Sequence, residues 1–309
     1  MNTLPRPVSV LDPVSLAIER VKEILFRPFD PIRWLTIGFC AWLATLGENW
    51  GGGGGGGGNN NGNGAGPQSF NDFWNEGMEY VTANLSWIVL AAAGVILFVI
   101  ALGLLITWLN SRGQFMFLHN VATGRAEVVA PWNTFASHAN SLFLFRVILG
   151  LGIFALSLPF LSAGLWSLFS MLRREEIAAV PMILAVVGLG LTLLLGLIYG
   201  VIAKLTTDFV VPIMALRGSP CRVAWIEFAG LLRAHAGTFL LYLLFSIVLG
   251  VAVAVAILLG AIICCIACCF LAIPYIGTVL LLPVYVFLRS YSAFFFAQFG
   301  PTYDVFNRG

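Results

Sequence analysis

An all-α polytopic bundle of about six transmembrane helices, with interfacial amphipathic helices, is the fold class that this sequence predicts, and three observations predict it. Of 309 residues 60% are hydrophobic and only 10% are charged, against about 25% charged in an average soluble domain, and the mean hydropathy is +0.95. Uncharged intervals long enough to cross a bilayer recur along the chain. The basic residues gather on alternate sides of those intervals. A water-soluble fold could not cover so much apolar surface, so residues 1–309 are read as a single integral membrane domain. The net charge of +2 and the dispersed basic residues exclude the clustered Lys/Arg footprint of a nucleic-acid binder.

A bilayer core about 30 Å thick needs roughly 20 helical residues. The intervals from Tyr80 to Ser111, Val147 to Leu172 and Ile177 to Ala203 carry no charge, and each predicts one crossing. Ala234 to Leu288 carries no formal charge apart from a protonatable His235. At 1.5 Å per residue roughly 55 residues would run near 80 Å, so this stretch must turn back. Pro274-Tyr275-Ile276-Gly277 is the expected hinge, because proline ends helices and tyrosine favours the membrane interface. The first crossing is the shortest, with only Trp34 to Gly47 between Arg33 and Glu48. A helix from Ile32 to about Trp50 spans if Arg33 snorkels to one interface; a re-entrant hairpin is the alternative. No signal-peptide core is present in the first thirty residues, where charges interrupt every apolar run.

Orientation follows from the positive-inside rule. With the N-terminus inside, all of the sixteen basic residues except Arg173 and Arg174 fall on the cytoplasmic side. Both termini are therefore expected in the cytoplasm of a bacterial cell, with the chain in the inner membrane. The loop before the second crossing holds Glu48, Asp72, Glu76 and Glu79 without a basic residue and belongs outside. Within it, residues 49–69 form a Gly/Asn-rich segment that includes eight consecutive glycines, Gly51 to Gly58. Such a composition buries too little apolar surface to offset ordering, so it is expected to be a flexible spacer. No P-loop lysine or hydroxyl follows it. Phe70, Phe73, Trp74, Met78 and Tyr80 beyond it are spaced for an interfacial helix.

A loose internal repeat runs through the chain. Trp132, Phe135 and His138 precede one crossing; Trp225, Phe228 and His235 precede another. Val14, Ile18, Val21, Leu25 and Phe29 lie at helical spacing before the first. Three units of amphipathic helix plus hairpin would all enter from the cytoplasm, a parallel repeat; chance likeness between apolar segments is the competing explanation.

Chemistry-bearing residues are few. Cys264, Cys265, Cys268 and Cys269 share one helical face, but a metal site would need further ligands from elsewhere; apolar packing, a disulfide and ligation all remain open. His119, His138 and His235 form no metal-binding pair, and no nucleophile-elbow spacing surrounds the serines. No catalytic, cofactor-binding or metal-binding residue is assigned. Arg112, His119, Arg146, Asp208 and Arg289 are the candidate polar site residues, because ionisable groups near or within spans are rare and usually paired. Asp208, Glu227 and Asp304 are the candidate partners for Arg146 and Arg289, Asp208 foremost for Arg289. Structural ion pairing, contact with lipid phosphate and a transport path are the three readings of this set.

Several strings carry a family resemblance: Ser111-Arg112-Gly113-Gln114-Phe115-Met116-Phe117-Leu118, Pro131-Trp132, Asn140-Ser141-Leu142-Phe143, Asp208-Phe209-Val210-Val211-Pro212-Ile213-Met214 and Phe287-Leu288-Arg289-Ser290-Tyr291. From Arg27 to Phe306 the chain resembles an uncharacterised bacterial family of six-span membrane proteins, itself loosely similar to the membrane domain associated with glycerophosphodiester phosphodiesterases. The resemblance implies an inner-membrane location and the six-span fold, and it carries no catalytic residues over. The expected function is that of an accessory or structural protein whose partners are membrane lipids or another membrane or cytoplasmic protein. A transporter or channel-like permease is the first alternative, and an enzyme acting on lipid through His119 or His138 is the second.

Overall fold

The computed structural model describes residues 8–47, 84–174, 179–263 and 273–306, together with Thr82. The glycine tract, the interfacial helix expected near residues 70–80 and the Cys264–Cys269 group lie outside the described residues. Every regular element among the described residues is helical. In chain order they are α1 (Asp12–Val21), α2 (Pro31–Thr45), α3 (Leu85–Thr123), α4 (Val129–Thr134), α5 (Ala136–Arg174), α6 (Ala179–Leu205), α7 (Val211–Arg217), α8 (Cys221–Ala234), α9 (Ala236–Ile263), α10 (Pro274–Leu280) and α11 (Leu282–Ala297). Single π-helical turns follow α1 (Lys22–Phe26) and α6 (Thr206–Val210). The second of these makes α6 and α7 one continuous helix.

Four of these helices are long and apolar enough to cross a membrane: Leu85–Thr123, Ala136–Met171, Ala179–Arg217 and Ala236–Gly260. α2 has 15 residues and α11 has 16, below the length that a full crossing asks for. α2 also ends earlier than expected. It stops at Thr45, with Gly47 at φ 88° just beyond, because its last carbonyls find side-chain donors: Asn110 Nδ2 reaches the carbonyls of Ala44 (2.7 Å) and Leu46 (2.9 Å), and Gln114 Nε2 reaches that of Ala44 (2.7 Å). At the other end the Asp30 carboxylate accepts from the Ile32 N–H at 2.9 Å, an N-cap ahead of a helix opened by Pro31. Arg33 donates to the Gly124 carbonyl instead of snorkelling to lipid. α2 therefore runs antiparallel along residues 110–123 of α3 and reaches Gly124 just beyond it.

Residues 274–277, expected to turn, are helical instead. Pro274 opens α10, and the helix continues through Tyr275, Ile276 and Gly277. A proline at the first helical position forfeits no intrahelical bond, so the residues that suggest a break begin the next element. The stripe expected before α2 is rotated as well: Ala17, Val21, Ile24 and Leu25 are buried, while Ile18 and Phe29 are exposed. Ile18 precedes the π turn, so the offset is already present in α1, whose inward face runs through Pro13, Ala17 and Val21.

The chain divides into two compact units. The larger draws on Met1–Glu48, Thr107–Arg146 and Ala203–Gly309. Its first core packs Ile24, Leu25, Ile37, Cys40, Ala41 and Leu43 against Met116, Phe117, Val121, Leu282 and Val286. An aromatic core surrounds the buried Phe209, whose ring stacks on Phe228 (centroids 5.3 Å apart) and meets Phe239 and Tyr242 edge-on at 5.1 and 4.9 Å. Residues from early and late in the chain bond in this unit: Ser9 N donates to Gln298 Oε1 at 2.7 Å, and Gln298 Nε2 donates to the Ser9 carbonyl at 2.8 Å. The smaller unit draws on Asn49–Ile106 and Val147–Ile202. In it α5 and α6 touch backbone to backbone, for a Cβ at Gly188 would lie 2.6 Å from the Phe160 carbonyl oxygen, the close approach that small residues permit between membrane helices.

Candidate functional site

The candidate site starts from a proline. In the π turn Val211 N–H bonds to the Thr206 carbonyl five residues back. The next carbonyl, that of Thr207, would in the same register await the N–H of residue 212, which is proline and has none. Arg289 supplies the missing donor, its Nη1 lying 2.6 Å from the Thr207 carbonyl oxygen. The hydroxyl of the same threonine accepts from Arg146 Nη2 at 3.0 Å, and Arg146 Nη1 donates to Asn110 Oδ1. Asn110 is the residue that closes the end of α2. One sequence feature thus links α2, α3, α5, α7 and α11.

Asp208, next in sequence, is buried. Its Oδ2 accepts from Tyr242 OH at 2.9 Å and pairs with Lys204 Nζ at 2.9 Å. Lys204 and Asp208 are four residues apart on one helix, whereas Tyr242 comes from α9 and is itself buried. Its ring stacks on Tyr291 and Phe295 of α11. Bonded partners of this kind let a carboxylate stay inside a protein.

The sequence-predicted residues therefore divide. Arg146, Asp208 and Arg289 come together around Thr207. Arg112 and His119 stand elsewhere on α3. The Arg112 guanidinium lies between two indoles, 4.8 Å from the Trp108 ring and 4.7 Å from that of Trp132, and donates to the Trp132 carbonyl at 3.1 Å. Trp108 in turn donates to Asn140 Oδ1 at 3.1 Å, so this sandwich fastens α3, α4 and the start of α5. His119 Nε2 lies 3.5 Å from Glu127 Oε2. Of the other expected partners, Glu227 pairs with Arg217 at 3.0 Å and Asp304 accepts from the Phe306 N–H at 2.8 Å. Arg112→Lys is expected to destabilise the fold by about 1–2 kcal/mol, since the ammonium keeps the charge and loses the stacked plane; equilibrium unfolding in mixed micelles measures it, and a variant as stable as the parent would show that the sandwich is incidental.

Asn110, Gln114, Thr207, Lys204 and Tyr242 are members that sequence reasoning passed over. A polar residue beside an apolar run was the available signal for Asn110 and Tyr242. At Thr207 it was the proline five residues later. Near this network Cys221 N donates to Ser141 Oγ at 3.0 Å, and burial pushes the Cys221 thiol up to about 12, opposed only in part by the charge of Arg146, so the sulfur behaves as a packing group. Among the described residues no group of three or more His, Cys, Asp or Glu is placed to hold a metal ion.

No curated protein and no solved structure matches the chain, and the resemblance to the membrane domain associated with glycerophosphodiester phosphodiesterases finds no support in these comparisons. A family model does match, over residues 8–284. It spans α1 to α10 and all of the network around Thr207 except Arg289, and on that match the chain belongs to a family of unknown function, DUF7544.

Proposed function

We propose that this is a six-span accessory protein of the bacterial inner membrane, with both termini cytoplasmic, that binds anionic lipid or a protein partner and catalyses no reaction. In this reading α2, though at 15 residues shorter than a full crossing, and the α10–α11 pair supply the two crossings that complete the three hairpins, the bilayer thinning locally to match the shorter helix. One observation carries the functional part: the charges at this site serve the fold, the buried Arg289 and the half-buried Arg146 bonding to Thr207 and the buried Asp208 to Tyr242 and Lys204. Such bonds suit a scaffold. The mutual binding of Ser9 and Gln298 supports termini on one side.

The expected result is that lipid retained by the detergent-purified chain is enriched in anionic species over the bulk membrane; a bulk composition would remove the lipid-binding reading. Cysteines placed near Gly62 and Arg308 should react from opposite sides of the membrane, and reaction from the same side would overturn the topology. A transporter is the second reading, favoured by the burial of Asp208 and Arg289 beside a π turn, a feature frequent at functional sites. A solute or proton flux in proteoliposomes that Asp208→Asn abolishes would put this reading first.

A further inference from the structure

The expected repeat places a leading helix before each of three hairpins, and the outward faces of these helices differ in charge. On α1 and the π turn that follows it the outer side mixes signs, with Asp12, Glu19, Lys22 and Glu23 all exposed and two local ion pairs, Arg20 to Glu23 at 2.7 Å and Lys22 to Glu19 at 2.8 Å. α4 carries no charge. α8 differs from both. Its inner face is Cys221, Ala224 and Phe228, all essentially inaccessible, with Phe228 stacked on Phe209 in the aromatic core. Its outer face is Arg222, Val223, Ile226, Gly230 and Arg233, all exposed.

At 3.6 residues per turn those five positions fall within an arc of about 100°, opposite the buried set. Val223 and Ile226 are 50% and 66% exposed, so apolar side chains lie between two arginines. Glu227 is the only acidic residue of the helix, and Arg217 takes up its charge at 3.0 Å. The outward face is therefore apolar and of one sign. That is the pattern of a helix lying in the headgroup layer, its aliphatic side chains at the acyl boundary and its guanidinium groups among phosphates.

We infer that α8 is the surface by which this protein docks to anionic phospholipid, Arg222 and Arg233 contacting headgroup phosphate while Val223 and Ile226 enter the lipid. The inference rests on the lipid-binding reading and gives it a location. α8 is fixed at the other side to the aromatic core, so it reports a lipid contact without needing to fold on binding.

The test uses the full chain purified in detergent and titrated with phosphatidylglycerol or phosphatidylcholine, with bound lipid read by native mass spectrometry. Each basic side chain at an anionic surface contributes about fivefold, so Arg222→Gln/Arg233→Gln should weaken phosphatidylglycerol binding about 25-fold and leave phosphatidylcholine unchanged. Arg222→Lys/Arg233→Lys should retain most of the affinity, which guards against loss through misfolding. Inorganic phosphate at millimolar concentration should compete poorly, because it lacks the acyl chains that Val223 and Ile226 meet; efficient competition would make this a free-phosphate site and overturn the lipid assignment. If the parent prefers phosphatidylglycerol and the glutamine pair prefers it equally, the α8 assignment is wrong while lipid binding stands. If the parent shows no preference, both fall.

Discussion

Gly113→Ala is expected to destabilise the protein by about 3 kcal/mol, the largest effect of any single methyl group added at the helix glycines of the larger unit. A Cβ at Gly113 would lie 2.4 Å from the backbone nitrogen of Ala44 and 2.4 Å from the carbonyl carbon of Leu43, closer than nonbonded atoms approach. Those atoms are backbone, so no rotamer change relieves the contact and α2 as a whole must move. Moving α2 stretches the bonds from Asn110 and Gln114 to the Ala44 carbonyl, which leaves a buried acceptor short of its donor at about 1–3 kcal/mol, on top of an overpacking cost of about 1–3 kcal/mol. Gly230→Ala and Gly250→Ala are the matched controls, with nothing within 4 Å of the added carbon, and they should be neutral or slightly stabilising by helix propensity. Equilibrium unfolding in mixed micelles gives the comparison. A Gly113→Ala protein as stable as these controls would mean that α2 does not lie against α3 in this way.

Much of this arrangement was legible in the sequence, and the parts that were not have physical causes. Long uncharged runs announce α3, α5, α6 and α9, because a bilayer demands length and apolarity and little else. The short elements are harder to read, for their ends depend on partners distant in sequence. α2 stops where Asn110 and Gln114, more than sixty residues away, receive its carbonyls, and nothing within Trp34 to Gly47 encodes that. Pro274 was legible as a break but not as to which side of the break it occupies. The same division holds at the candidate site. Charges near the ends of spans identify Arg146, Asp208 and Arg289, since each is costly there unless engaged. That Arg289 bonds to the backbone of Thr207 follows from Pro212, whose absent N–H acts on a carbonyl that only the π register selects.

The hydrogen bond from Tyr242 to Asp208 is expected to outweigh the ion pair from Lys204 to the same carboxylate. Both distances are 2.9 Å, so distance does not separate them. Exposure does. The Lys204 side chain is 44% exposed, and an exposed pair four residues apart on one helix contributes only a few tenths of a kcal/mol. Tyr242 is 1% exposed, its hydroxyl has no solvent to turn to, and a hydrogen bond to a charged group in such a place contributes about 1.5–3 kcal/mol. Tyr242→Phe should therefore cost about 2 kcal/mol and Lys204→Met less than about 0.5 kcal/mol. Asp208→Asn keeps the shape, removes the charge and should cost about as much as Tyr242→Phe. In a double-mutant cycle Tyr242→Phe with Asp208→Asn should be strongly non-additive, whereas Lys204→Met with Asp208→Asn should be additive within about 0.5 kcal/mol.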